Sequence, residues 1–139
     1  MIDYFIKVVG KENVTDELID REAYSTDASQ IKGQTSIVVW PMRPEQIHVI
    51  ILFAKRNKLN IVVRGAGTNL VGNTVPKNSI VLDLSKMNNI IEINEREKYA
   101  IVEPGVLLDD LNSMLKDSFF PVIPSSYKVC TIGGMIGTN

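Results

Sequence analysis

The sequence predicts an α+β fold in which a parallel α/β lobe leads into a mostly antiparallel one. Three observations carry this. The wholly apolar, β-branched run Ile37-Val38-Val39-Trp40 is followed by a helical pattern and then a second strand pattern, which is a βαβ unit. Further on, the charged turn Glu95-Arg96-Glu97-Lys98 separates two short strand patterns, as in a hairpin. The chain has 139 residues, enough for one domain with a modest core or two tightly joined lobes.

The elements follow in order. Residues 1–9 place Ile2, Phe5, Ile6 and Val9 on one helical face, with Gly10 as the stop. Thr15 is a candidate cap for a second helix through about Ala23, and Asp16 and Glu17 suit its first turn. Residues 25–35 are small and polar and read as a loop. Ile37–Trp40 reads as a strand covered on both faces, ended by Pro41. Pro44 fits the first position of a helix, where its missing N–H costs nothing. Ile47, Ile50, Ile51 and Ala54 recur at helical spacing, with Lys55, Arg56 and Lys58 at the carboxyl end. Asn60–Arg64 is the next strand, parallel to the first through a right-handed crossover. Strand patterns then fall at Ser79–Leu84, Ile90–Asn94 and Tyr99–Val102, and a helix at Val106–Leu115. Residues 119–139 read as loop-rich, because Gly133, Gly134 and Gly137 argue against a regular element. The expected division is a helical lead-in (1–36), a first α/β lobe (37–84) and a second lobe (85–139).

Composition excludes several classes. Lys and Arg number 15 against 16 Asp and Glu, and this balance offers no electrostatic reason for nucleic acid or an anionic membrane as partner. The Lys55-Arg56-Lys58 cluster is short and has no interleaved aromatics. With one cysteine, Cys130, there is no intrachain disulfide framework, which fits a reducing compartment. The longest apolar stretch, Val49–Ala54, is too short to cross a bilayer, and the charged amino terminus lacks a secretion signal's apolar core. The expectation is a cytoplasmic protein.

The chemistry concentrates after the second strand, in Gly65-Ala66-Gly67-Thr68-Asn69-Leu70-Val71-Gly72-Asn73. Glycines let the backbone take positive φ and let a ligand approach the main chain. Successive N–H groups in such a turn converge into an anion-binding concavity, and Thr68 and Asn69 add short polar side chains for phosphate oxygens. The dinucleotide fingerprint G-x-G-x-x-G fails, because Leu70 stands where its third glycine belongs and a strand, not a helix, follows. A Walker loop is absent too. On spacing alone, a tight structural loop is an equal reading.

From Trp40-Pro41 to Asn139 the chain resembles the FAD-binding domain of the vanillyl-alcohol oxidase and p-cresol methylhydroxylase family, and within it the glycolate oxidase FAD subunit and D-lactate dehydrogenase group. The matching segments are Val38–Pro41 with Pro44–Ile47, Val63–Gly72, Ile80–Asn88, Val102–Val106, and Pro124–Ser126 with Cys130–Asn139. Tyr24, Asp27 and Ser29 resemble an upstream pattern of the family. The resemblance implies two α+β subdomains around FAD, of the p-cresol methylhydroxylase type, with the second lobe incomplete here. It implies pyrophosphate contacts from Arg64, Gly65, Ala66, Gly67, Thr68, Asn69 and Gly72. It places Pro104, Gly105, Pro124, Ser125, Thr131, Gly133, Gly134, Gly137 and Thr138 on the other side of the cofactor. Some relatives attach FAD through a histidine in the glycine loop; Thr68 holds that place here, so the flavin is expected to be noncovalent. Family enzymes continue well beyond the threonine-asparagine pair, and their substrate residues lie there, so none is assigned in this chain and no catalytic or metal residue is expected.

The activity implied is FAD-dependent oxidation of a 2-hydroxy acid. Two alternatives stand beside it: a UDP-N-acetylenolpyruvoylglucosamine reductase-like flavoprotein, and a non-catalytic or partner-dependent FAD-binding fragment. A separate substrate-domain chain and self-association through Val106–Leu115 and the terminal segment are the expected partners. Among single residues, His48 on its helix reads as structural or solvated, Cys130 as a packed thiol, and Asp109 and Asp110 as complements to a helix dipole. Tyr24 and Tyr127 read as partly buried. Arg64 either neutralises a diphosphate or pairs with a carboxylate of its own lobe.

Overall fold

The computed structural model describes residues 1–138; Asn139, which the resemblance includes in its last motif, lies outside the described residues. Helix α1 (Ile2–Val9) buries Phe5 and Val9, and Gly10 at φ 91° ends it. Its aromatic side chains pack on α3 (Pro44–Asn57): Tyr4 stacks on Phe53 with centroids 4.2 Å apart, and Phe5 meets the same ring edge-on at 5.1 Å. A 3-10 turn at Lys11–Asn13 leads into β1 (Val14–Thr15), then α2 (Leu18–Ala23) and β2 (Gln34–Val39). After α3 come β3 (Asn60–Arg64) and β4 (Lys77–Asp83).

These strands form one sheet in the order β1-β2-β4-β3. β2 and β3 are parallel as expected, but they do not touch: β4 lies between them and pairs in parallel with both. Ile37, Val38 and Val39 are all fully buried, as a strand covered on both faces requires. Beneath one face, Ile37, Val39, Ile50, Ala54, Ile80 and Leu82 join Phe5, Val9 and Val14 in a single core. Burying a side chain of this kind contributes about 1.5–3 kcal/mol.

The lead-in differs from its expected form in two ways. Val14 and Thr15 pair antiparallel with Val39 and Val38, so α2 starts at Leu18 rather than just after Thr15. Thr15 instead accepts from the Glu17 N–H at 3.2 Å and donates to Asp20 at 2.8 Å. β2 also starts early, because the buried Thr35 is held by Ser25: its N–H donates to Ser25 Oγ at 3.0 Å. Polar residues extend this strand, and the apolar run did not reveal them.

β5 (Ile90–Asn94) and β6 (Tyr99–Val102) form the antiparallel hairpin, followed by α4 (Leu108–Met114) and α5 (Ile132–Thr138). A second core joins Val106, Leu108, Leu111, Cys130 and Ile132, with Ile90, Ile93, Val102 and Met135 packed around it. The expectation that Val106–Leu115 would present apolar surface is therefore corrected: Val106, Leu108 and Leu111 face this core, and only Met114 of the segment's large apolar side chains is strongly exposed, at 56%. The exposed apolar groups lie later, at Phe119, Val122, Ile123, Val129 and Ile136.

The glycine-rich end also differs from its expected loop, since Ile132–Thr138 is helical. Thr131 caps it, accepting from the Gly134 N–H at 3.1 Å. The chain is clamped to residues 104–108 by Ile132 N–H to Val106 O at 2.8 Å, Gly133 N–H to Pro104 O at 2.9 Å and Leu108 N–H to Cys130 O at 3.1 Å. Tertiary anchoring outweighs the roughly 1 kcal/mol each interior glycine costs a helix. No helix among the described residues is long and apolar enough to cross a membrane.

Candidate functional site

Neighbouring parallel strands need a long connection between them, and this role most often falls to a helix. Between β3 and β4 it falls to residues 65–76, which return along the sheet as an irregular loop. That loop forms one wall of a cleft of about 450 Å³, within the range usual for small-molecule sites. The opposite wall is Pro104, Pro124, Cys130, Thr131 and the α5 residues Gly133, Gly134, Met135, Gly137 and Thr138. Arg64, Gly65, Ala66, Gly67, Thr68 and Asn69 line the loop side. Thus the glycine loop and a segment some sixty residues later, which the family resemblance assigns to the other side of a cofactor, face one another. Gly72, Gly105 and Ser125 do not line the cleft. Gly105 is packed against the Leu84 and Met87 carbonyls, Gly72 faces Ile31 and Ser29, and Ser125 is exposed.

Two glycines have specific reasons to be there. A side chain at Gly65 would collide with the Thr131 hydroxyl, so this glycine lets the two walls close on each other. Gly67 sits at φ 67°, and a Cβ there would meet the Arg64 guanidinium. The N–H groups of Ala66, Gly67, Thr68 and Asn69 donate to no acceptor among the described residues, whereas the Gly67 carbonyl accepts from Ala28 N–H at 3.1 Å. A run of successive free amides is the donor set that an anion needs.

The side chains behind the loop are arranged differently from what the sequence suggested. Arg64 pairs with no carboxylate among the described residues: it donates to the Thr26 carbonyl at 2.6 Å, and its guanidinium carbon lies 5.1 Å from the Tyr24 ring centroid. Tyr24 in turn donates to Asp83 at 2.7 Å, and Asp83, at the end of β4, also accepts from Ser85 N–H at 2.8 Å. Burial, then the Asp83 hydrogen bond and charge, push the Tyr24 hydroxyl up to about 12. Asn69 is not a free phosphate donor. Its amide group donates to Asp27 at 2.9 Å and to Thr74 at 3.2 Å, while its carbonyl accepts from the N–H groups of Val71 and Asn73. The residue organises the loop rather than reaching out of it.

Asp27 is the residue whose part the sequence did not show. It is 7% exposed and accepts from Ser29, Asn69 and Thr74. Burial pushes its carboxyl up, but these hydrogen bonds outweigh that effect and hold it down at about 2. The available signal was the run Ser25-Thr26-Asp27-Ala28-Ser29, a sequence apt for an Asx turn. Cys130 lines the cleft, and burial raises its thiol. His48 is exposed on α3 and does not line the cleft.

Comparisons with known proteins agree with this architecture. A family model described as an FAD binding domain matches residues 35–139. The glycolate oxidase subunit GlcD of Bacillus subtilis is 38% identical, over 99% of this chain and 30% of its own length. A D-2-hydroxyglutarate dehydrogenase of Stutzerimonas stutzeri is 31% identical, over 100% of this chain and 31% of its own. Among solved structures, p-cresol methylhydroxylase with substrate bound superposes with a TM-score of 0.79 at 25% identity, covering 93% of this chain and 27% of that one. The chain thus spans about a third of the length of these curated relatives. With the match running through the glycine loop, the hairpin and the capped terminal helix, this chain belongs to the FAD binding domain family, in the p-cresol methylhydroxylase type of fold.

Proposed function

We propose that this chain is the FAD-holding part of a flavin-dependent oxidoreductase that converts a 2-hydroxy acid, of the glycolate or D-lactate type, to the 2-oxo acid. The observation that carries the reading is the set of free amides at Ala66–Asn69 facing a second wall of small residues across the cleft. FAD, when bound, supplies the redox chemistry, and the protein's work is to hold and orient it. The loop amides take the pyrophosphate through the main chain, and the Thr68 hydroxyl is at hand beside them. Arg64 adds positive charge from beneath Gly67 without leaving its place on Tyr24. Pro104, Gly133 and Gly134 keep the facing wall low enough for a cofactor to lie against the backbone. Noncovalent binding is part of this reading, supported by Thr68 in the loop position where some relatives carry a histidine and by His48, the chain's single histidine, standing exposed on α3 away from the cleft lining.

The substrate class rests on the likeness to the Bacillus glycolate oxidase subunit and the Stutzerimonas dehydrogenase. Residues that hold the substrate come from sequence beyond the stretch these relatives share with this chain, either in the same polypeptide or in a partner chain. The test is direct. The chain is mixed with a modest excess of FAD, desalted, and its visible spectrum recorded. Retained flavin bands are expected, and Gly67→Asp should abolish them by setting a carboxylate among the loop amides. A protein that stays colourless after desalting would refute the reading for this chain alone.

A further inference from the structure

We propose that Asp27 is the positioning residue of the anion loop: one carboxylate oxygen clasps residues 69–74 and thereby holds the preceding amides in their receptive shape. The inference rests on the pyrophosphate-loop reading above and deepens it. The geometry divides the carboxylate into two tasks. Oδ1 accepts from the Ser29 N–H at 2.9 Å and from the Ser29 hydroxyl, and so closes a local turn. Oδ2 reaches across to the loop, accepting from Asn69 Nδ2 at 2.9 Å, Thr74 Oγ1 at 3.0 Å and Thr74 N–H at 3.3 Å. Through Asn69 the hold extends further, since that side chain's carbonyl accepts the N–H groups of Val71 at 3.2 Å and Asn73 at 2.9 Å. Just upstream, Gly67 O is tied to Ala28 N–H at 3.1 Å, one residue from the same carboxylate.

The loop is therefore pinned to the segment Asp27–Ala28, more than thirty residues earlier in the chain, at Gly67 and Asn69 within the run of free amides and at Thr74 beyond it. Nothing else among the described residues hydrogen-bonds the Thr74 N–H or hydroxyl apart from Asn69. A carboxylate is the side chain suited to this position. Every group meeting it is a donor, and a neutral amide would turn an N–H₂ toward the Ser29 or the loop donors. With the N–H₂ toward the loop, Asn69 could no longer be held and the turn that orders residues 66–69 would be free to open; with it toward Ser29, the Ser29 N–H would lose its acceptor and the loop would be held by a weaker, uncharged carbonyl.

Variants Asp27→Asn, Thr74→Val and Ser29→Ala of the full chain separate the clasp from a general structural role. Two readouts are needed: backbone amide NMR of the flavin-free protein, and FAD titration followed by flavin absorbance. Asp27→Asn should broaden or shift the amide signals of residues 66–74 and weaken FAD binding at least tenfold. Thr74→Val, which removes one donor and leaves the carboxylate, should do the same more mildly, by about threefold. Ser29→Ala removes a bond to Oδ1 and leaves the Oδ2 bonds to the loop in place, so it should stay within twofold. Loop signals unchanged in both Asp27→Asn and Thr74→Val would overturn the proposal. So would a Ser29→Ala loss as large as that of Asp27→Asn, since it would make the effect one of the local turn. If the unmodified chain binds no FAD, the pyrophosphate reading falls, while the NMR arm still decides the clasp.

Discussion

At Asp27 every donor that meets the carboxylate is neutral: the Ser29 amide and hydroxyl, the Asn69 amide, and the Thr74 amide and hydroxyl. The carboxyl is held at about 2 by hydrogen bonds, against the push of burial, and no salt bridge among the described residues contributes. Its ordinary value lies near 3.9. A group whose folded pKa is depressed contributes stability above its unfolded value and loses it as pH falls toward the folded one. The melting-temperature gap between the unmodified chain and Asp27→Asn should therefore hold steady above about pH 4 and close between about pH 4 and pH 2. Because the hold is made by neutral donors, the gap at neutral pH should change little between about 0.1 M and 1 M salt. A gap that persists to pH 2, or one that collapses with salt, would show that the charge is held in some other way. Arg64 repeats the lesson with opposite sign: a cation next to the proposed anion loop spends its directed hydrogen bond on Thr26 and its face on Tyr24.

Elements with a local periodic signal are legible in the amino-acid pattern alone. α1, α3, β3 and the β5–β6 hairpin stand where apolar spacing, Pro44, Gly10 and the charged turn put them. Elements made by distant partners are not legible in that way. β1 exists only because Val14 and Thr15 meet Val39 and Val38, and the place of β4 between β2 and β3 is a matter of pairing that no window of sequence carries. The same division holds in the cleft. The glycine loop was legible because conformational freedom shows in composition, whereas the engagement of Asn69 with Asp27 spans 42 residues and leaves no local trace. α5 is the sharpest case, a helix built through Gly133, Gly134 and Gly137 because Thr131 caps it and Pro104 anchors it. Thr131→Val keeps the shape of the side chain and removes the cap. It should cost about 1 kcal/mol of stability. FAD affinity should drop with it, since α5 forms the facing wall. Chemical denaturation and the flavin titration check the two effects, and an unchanged unfolding midpoint would mean that the clamp to residues 104–108 alone fixes the helix.

On the scale of the whole chain, the two cores are unequally covered. In the first lobe α1 and α3 pack on one face of the sheet, over Ile37, Val39, Ile80 and Leu82, while Val38 and Val81, on the other face, are also fully buried. The second lobe closes over Val106, Leu108 and Leu111 but leaves Phe119, Val122, Ile123, Val129 and Ile136 at 66%, 58%, 57%, 52% and 76% exposure. Scattered apolar side chains are ordinary on a protein surface, but so many within a short stretch are not. The curated relatives are about three times as long as the stretch they share with this chain, so their remaining sequence is a natural source of cover. For these 139 residues taken alone, burial between copies is one way to remove the surface from water. Light scattering on the isolated chain should therefore show an average mass that rises with protein concentration. Replacing Phe119, Val122 and Ile123 together by serine should lower that mass toward the monomer without loss of flavin, because none of the three lines the cleft. A monomer of constant mass across the accessible concentration range would show that the segment rests in water as it stands, and self-association would then have no part in how this chain holds its cofactor.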